Sequence, residues 1–316
     1  MMEKEMFTDE EKQRIGAGIL ELHRNSGLSG RKFAASIGFK ESDISNLKTE
    51  AWKKNRQLIG DQKWLRLAQK SGFTKDAELK LVTGRTSVFD YITEQLRVCQ
   101  AASTYSLMCD SAGIGKTYAC KQYKKENPYV LYIDCSLCPK ATQFKRAFSA
   151  AAGIASIGSI DEVFEAAILS VKQMTKPLLI LDEAGDLNDN VFKLIKRLYN
   201  DLEDICGISM FGAGGLKHKI ERGIGCNKVG FEELFSRFGR DYGRFTPDPS
   251  RTSRADFEEY MRKEMEIVLL ANGFNRQTAV MTCRKMQGRD LRAIKRAIKA
   301  TRMNEMQITV KNPDEQ

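Results

Sequence analysis

No apolar stretch in the chain approaches the roughly 20 residues a helix needs to cross a bilayer. The opening residues, Met1 to Phe7, also lack the apolar core of a signal peptide. These absences argue against a membrane partner and set the expectation of a cytoplasmic protein. Histidine is nearly missing, with His23 and His218 the two in 316 residues. There is one close cysteine pair, Cys135-Ser136-Leu137-Cys138, and no second, so the four ligands of a structural zinc site are not assembled. The 8 cysteines fall mostly inside apolar segments, as small core residues of a reducing compartment do. Acid is in deficit too: 41 Asp and Glu against 51 Lys and Arg leave a formal charge of +10. That surplus calls for an acidic partner, of which nucleic acid is the commonest; solubility is its plainer use.

Against this background one stretch stands out. Asp110-Ser111-Ala112-Gly113-Ile114-Gly115-Lys116-Thr117 follows an apolar run, Thr104 to Cys109, and precedes a helix-compatible segment. Gly113 and Gly115 allow backbone N–H groups to turn inward, Lys116 brings a cation to the outer phosphates, and Thr117 offers a hydroxyl to Mg²⁺. Ser111, Ala112, Ile114 and Tyr118 complete the predicted phosphate cradle. It is a P-loop with one departure, Asp110 where the pattern wants glycine. A second signal lies downstream. Leu178 to Leu181 are four aliphatics, the pattern of a strand buried on both faces, and Asp182-Glu183 arrive at its C-terminal end, where open α/β sheets place their ligands. Asp182 suits the Mg²⁺ shell and Glu183 suits orienting or deprotonating a water. The pair and the loop together predict nucleotide hydrolysis.

The remaining text organises itself around these two signals. From Thr8 to Leu47 short helical faces (Ile15, Ile19, Leu22; Phe33, Ala34, Ile37; Ile44, Leu47) are punctuated by Gly27, Gly30 and Gly38. The pattern resembles the repressor-like helix-turn-helix class, which puts Ser42, Ser45, Asn46 and Lys48 where side chains reach DNA. A protein-interaction domain of the same pattern is the alternative. Trp52, Leu58, Trp64, Leu65, Leu67 and Ala68 are expected to close this core, and thinning apolar text from Ser71 to Thr86 reads as a linker. Beyond it come a helix over 87–102, the loop strand, and a helix from Tyr118. A strand over 129–134, helices over 136–152, 161–174 and 188–199, and strands over 177–183 and 205–212 follow. That alternation means βαβ units and a parallel sheet.

With these parts in this order, the chain resembles the AAA+ ATPases, and among them the target-DNA-binding transposition ATPases of the phage Mu B type. The motifs that carry the likeness are Gly113 to Thr117, Leu179 to Ala184, and Leu234-Phe235-Ser236-Arg237. The resemblance implies an α/β fold: a P-loop AAA+ parallel sheet with helices on both faces (81–250), a C-terminal helical lid (251–316) and an N-terminal all-α helix-turn-helix domain with its linker (1–80). It implies ATP and Mg²⁺ as cofactors and nucleotide held between protomers. Arg237, or else Arg240, would reach a neighbour's γ-phosphate, and Arg292, in the run opened by Gln287-Gly288-Arg289-Asp290, would touch nucleotide from within its own chain. The implied activity is slow, DNA-stimulated ATP hydrolysis by a homo-oligomer, a helical filament or ring on double-stranded DNA, serving a DDE-type transposase. Lys140, Lys145 and Arg146 are candidates for its DNA-facing surface. Two departures favour slow turnover: Asp110, expected to bring a carboxylate near the phosphates, and Ala213, which cannot orient water where the family carries a polar residue. A helicase loader, or a helix-turn-helix repressor using its ATPase core as a nucleotide sensor, would share these parts.

Overall fold

Contacts divide the chain after Lys80 into two units, 1–80 and 81–316. The computed structural model describes residues 6–73, 81–155, 158–248, 250–286 and 290–311.

The first unit is helical: α1 (Asp9–Ser26), α2 (Gly30–Ile37), α3 (Glu41–Lys48), the single turn α4 (Ala51–Lys54) and α5 (Asp61–Ser71). Thr8 and Glu11 form a reciprocal cap at the start of α1, satisfying two backbone donors that a helix end leaves free. Gly38, at φ 79°, ends α2, and three residues separate it from α3. Ile15, Ile19, Phe33, Ile44 and Leu47 meet Trp52, Trp64 and Leu67 in one core, the two indoles edge to face at 5.1 Å. Leu58 and Leu65, expected in that core, are exposed instead. On α5 the buried face is Trp64, Leu67 and Ala68, and Leu65 falls a quarter-turn or more away from it. Ser42, Ser45 and Lys48 are exposed along α3 and Asn46 is half-buried. On the buried side of the same helix Asp43 pairs with Lys63 at 2.7 Å.

In the second unit α6 (Ser87–Ala102) leads into β1 (Tyr105–Cys109), α7 (Lys116–Glu126), β2 (Val130–Asp134), α8 (Ala141–Ala151) and α9 (Ile160–Lys172). Next come β3 (Leu178–Asp182), α10 (Asp189–Leu202), β4 (Gly207–Gly212), α11 (Gly214–Gly225) and α12 (Phe231–Arg237). The four strands form a parallel sheet in the order β1-β4-β3-β2. Alternation along the strands divides the core in two. Leu107, Leu131, Leu179, Leu181 and Met210 pack against Phe144, Phe148, Phe164, Phe192 and Phe231 from α8, α9, α10 and α12. Met108, Val130, Ile180 and Phe211 pack against Ile92, Leu96, Ala119 and Tyr123 from α6 and α7. Helix α11 escapes the sequence reading, because its glycines break the apolar rhythm of Leu216 and Ile220.

Beyond β1 the chain returns to make one parallel bridge, Met108 to Gly243. Gly243 N–H donates to the Leu107 carbonyl at 2.9 Å, and the Gly243 carbonyl accepts from Cys109 N–H at 3.0 Å. A Cβ at Gly243 would push against Met108 Sδ, so the Met108 side chain would have to move to admit one. Helices α13 (Arg254–Ala271), α14 (Arg276–Lys285) and α15 (Leu291–Lys311) then build a further core from Met265, Leu269, Cys283, Ile294 and Ile298. Among the described residues, no helix is long and apolar enough to cross a membrane.

Candidate nucleotide site

The loop between β1 and α7 lies at the C-terminal edge of the sheet and lines a cavity of about 370 Å³, a size suited to a small-molecule ligand. Gly113 (φ 80°) and Gly115 (φ 100°) occupy left-handed conformations. The second caps the N-terminus of α7, so the free N–H groups of that helix open toward the cavity. Ala112 through Tyr118 all line it. Ser111 does not: its N–H turns to Asp110 Oδ1 at 2.6 Å, and its carbonyl accepts from Lys116 Nζ at 2.7 Å. Lys116 Nζ also donates to the Asp110 carbonyl at 2.8 Å. Lys116 is 6% exposed, and burial depresses its pKa against the pull of the Asp110, Glu183 and Asp182 charges. An anion arriving in the cavity would restore what burial removes.

Asp110 has more partners than its place in the loop announces. Its carboxylate accepts from Ser111 N–H within the loop and its charge acts on Lys116, but most of its donors come from a distant segment. Arg244 Nη2 donates to it at 3.0 Å, Phe245 N–H at 2.7 Å, and Thr246 through N–H and Oγ1, each at 2.8 Å. The side chain is fully buried, and a buried carboxylate needs such a set of donors to remain charged. Asp110 therefore ties the first residue of the loop to the segment that follows the Gly243 bridge.

At the end of β3, Asp182 is 1% exposed. Tyr132 OH donates to its Oδ2 at 2.8 Å and Glu183 N–H to its Oδ1 at 3.1 Å. Glu183 has φ 51°, a conformation uncommon outside glycine that recurs at functional sites, and it lines the cavity. Its carboxyl is pushed up, first by burial and then by the neighbouring Asp182 charge, while Lys116 and Arg292 pull it down. Burial, followed by the Asp182 charge, likewise drives the Tyr132 phenol well above its ordinary range, so it remains a donor. Ala213 stands at the N-cap of α11, beyond β4, and does not line the cavity.

The other wall comes from residues read as linker and from the C-terminal helices, where Arg292 was expected to touch nucleotide. Leu81, Val82, Gly84 and Thr86, taken as linker, line the cavity with Val268 of α13 and with Leu291, Arg292 and Lys295 of α15. The Asn272 side chain pins the Val82 peptide from both sides, accepting from its N–H and donating to its carbonyl, each at 2.9 Å. Leu291 N–H donates to the Gly113 carbonyl at 3.0 Å, and a Cβ on Gly113 would run into Asp290. Gln287, Gly288 and Arg289 lie outside the described residues. Arg292 and Lys295 thus share one cavity with Lys116 and Lys121. Four cations in one cavity match a polyanion. Thr117 on the lining, and Asp182, the buried neighbour of Glu183 that does not itself line the cavity, are the hard oxygen donors that suit Mg²⁺, so the residues fit a Mg²⁺ nucleotide.

Arg237 lies elsewhere. It ends α12, donates from Nη1 to Asn200 Oδ1, and stacks its guanidinium 4.3 Å from the Tyr199 ring centre. Tyr199 packs in turn on Tyr105, the first residue of β1, at 4.4 Å. The loop leaves the last residue of that strand. Glu233, four residues before Arg237, is engaged by Lys196 at 3.0 Å, and Arg240 by Glu232 at 2.8 Å. On α8 Lys145 is held by Asp161 at 2.5 Å and lies over the Phe164 ring, while Lys140 and Arg146 are exposed.

Residues 107–220 match the family model described as AAA domain. This segment is an AAA-type P-loop domain. Such a domain implies nucleotide binding, and the match takes in the phosphate loop, Asp182 and Glu183. The first unit, Arg237 and the helices after α12 fall outside it. Among solved structures the chain is similar to NtrX from Brucella abortus, at 15% identity and a TM-score of 0.42, over 82% of this chain and 60% of that one. No curated protein matches the chain.

Proposed function

We propose that the protein is an ATPase that oligomerises on duplex DNA, selects target DNA for transposition, and delivers it to a DDE-type transposase or activates that enzyme. One observation supports the assembly-dependent part most strongly. Lys116 and Arg237 are associated with opposite ends of β1, and the nucleotide cavity is not lined by Arg237. A cation that cannot serve its own site can serve a neighbour's, which makes hydrolysis conditional on assembly.

In this reading bound ATP with Mg²⁺ supplies the γ-phosphoryl group and the neutralising charge. Lys116 gives up its two loop carbonyls to hold the phosphates, with the N–H groups at the start of α7 around them. Thr117 and Asp182 hold the metal, Glu183 orients or deprotonates the attacking water, and Arg292 clamps the phosphates from α15. Arg237 of the next protomer completes the site. With a methyl at Ala213, water is ordered by Glu183 without help from that strand end, which favours slow turnover. The Asp110 charge, which acts on Lys116, adds to that slowness.

The DNA part rests on the +10 charge, on exposed Lys140 and Arg146, and on α2 and α3, read as a helix-turn-helix presenting Ser42, Ser45, Asn46 and Lys48. Lys145, occupied by Asp161, contributes least. Electron microscopy with duplex DNA in ATP, ADP or no nucleotide tests the reading: filaments or rings on DNA with ATP alone are expected. A footprint on one short operator, indifferent to ATP, would contradict it in favour of a repressor. Co-purification with a replicative helicase in place of a transposase would contradict it in favour of a helicase loader.

A further inference from the structure

Tyr132 occupies the middle of β2 in register with Ile180 of β3, two residues before Asp182 on the neighbouring strand. An aromatic residue on a strand is usually there for its ring. Here the hydroxyl has a specific destination, Asp182 Oδ2 at 2.8 Å. Asp182 is sealed from solvent, and among the described residues its two hydrogen-bond donors are this phenol and the Glu183 N–H. The two bonds go to different carboxylate oxygens, which fixes the plane of the group. Each oxygen keeps a further lone pair for a cation or its water. The ring itself is steadied on its other side, for Lys121 Nζ, on the helix that begins at the phosphate loop, lies 5.5 Å from its centre. Lys121 also lines the nucleotide cavity. One tyrosine thus joins the cradle helix to the carboxylate at the end of β3.

We propose that Tyr132 is a positioning residue that sets the orientation of Asp182 for Mg²⁺, acting through that carboxylate and touching neither metal nor nucleotide. The inference rests on the reading of this cavity as a Mg²⁺ nucleotide site. Outer-shell partners of metal-holding carboxylates commonly change metal affinity by about 10–100-fold when removed. The hydroxyl, and not the ring, should carry the effect.

The test titrates Mg²⁺ into the full chain with a fluorescent ATP analogue, comparing wild type with Tyr132→Phe, which keeps the ring beside Lys121. The half-saturating Mg²⁺ concentration should rise by about tenfold or more, while binding in excess EDTA stays unchanged. Equal Mg²⁺ requirements in the two proteins would overturn the proposal. So would an equal loss with and without Mg²⁺, since that is what a packing role produces. A second arm places Tyr132→Phe in an Asp182→Asn background, where the phenol has lost its carboxylate and the substitution should add little to the Mg²⁺ requirement. A full additive loss there would also overturn the proposal. If wild-type nucleotide binding does not respond to Mg²⁺ at all, the site reading fails, and the inference with it. Failure of the inference alone leaves the wild-type Mg²⁺ response intact.

Discussion

The two ends of β1 hold the two cations that the proposed mechanism uses, Lys116 and Arg237, and they hold them differently. At the C-terminal end everything is enclosed. Lys116 is buried with two carbonyl acceptors, and Asp110 is saturated by Arg244, Phe245 and Thr246. At the N-terminal end Arg237 has one side-chain acceptor, Asn200, and the face of Tyr199, and it remains half-exposed. A built pocket at one end and a presented cation at the other is the arrangement expected if each protomer completes its neighbour's site.

Substitutions at the two ends should therefore fail in different ways. The largest effect is expected at the enclosed end: Lys116→Ala should abolish nucleotide binding, read by equilibrium titration of a fluorescent ATP analogue, and with it ATP-dependent binding to duplex DNA. DNA filaments unchanged in that variant would break the link between the cavity and assembly. Arg237→Ala should keep nucleotide affinity and lose hydrolysis by about 10³-fold or more, the usual worth of an arginine supplied in trans. Phosphate release under saturating ATP measures it, and wild-type turnover would move the role to Arg240 or elsewhere.

Next in size is a stability contrast. Asp110→Ala leaves the Thr246 donors buried without their acceptor and Arg244, one-third exposed, without its ion pair, and a cost of about 2 kcal/mol is expected in denaturant unfolding. Asn200→Ala, at the open end, should cost less than about 1 kcal/mol, because the group it releases can turn to water. Comparable losses at the two positions would erase the distinction between an enclosed and an open end. The smallest effect belongs to Arg240→Ala. Its ion pair with Glu232 is exposed on both sides, so stability should change by less than about 1 kcal/mol and turnover should remain close to wild type.

What could be read from the sequence was whatever is contiguous. The phosphate loop is eight successive residues, and the Asp182-Glu183 pair follows four aliphatics, so local periodicity and residue type disclose both. The parallel sheet follows from the spacing of its strands. Groups assembled from a distance were not legible. Apart from Ser111 N–H, the partners of Asp110 lie 134–136 residues further along, and nothing near Asp110 announces them. Residues 81–86 carry too few apolar side chains to look like a wall, yet they form one because Asn272, 190 residues away, pins the Val82 peptide. Tyr132 was hidden for the opposite reason: a strand aromatic needs no further explanation until its hydroxyl is seen to have a partner. Leu65 shows the limit of hydrophobicity alone, since α5 had already filled its inward face with Trp64, Leu67 and Ala68.

The central claim, that a site built by one protomer is completed by Arg237 of another, is tested most directly by mixing two inactive variants. Lys116→Ala cannot bind nucleotide but still presents Arg237; Arg237→Ala binds nucleotide but presents no cation. If the two ends of β1 serve different sites, mixing them on duplex DNA should restore ATP hydrolysis that neither shows by itself. A mixture as inactive as its components, under conditions where the two variants are shown to co-assemble, would contradict the claim.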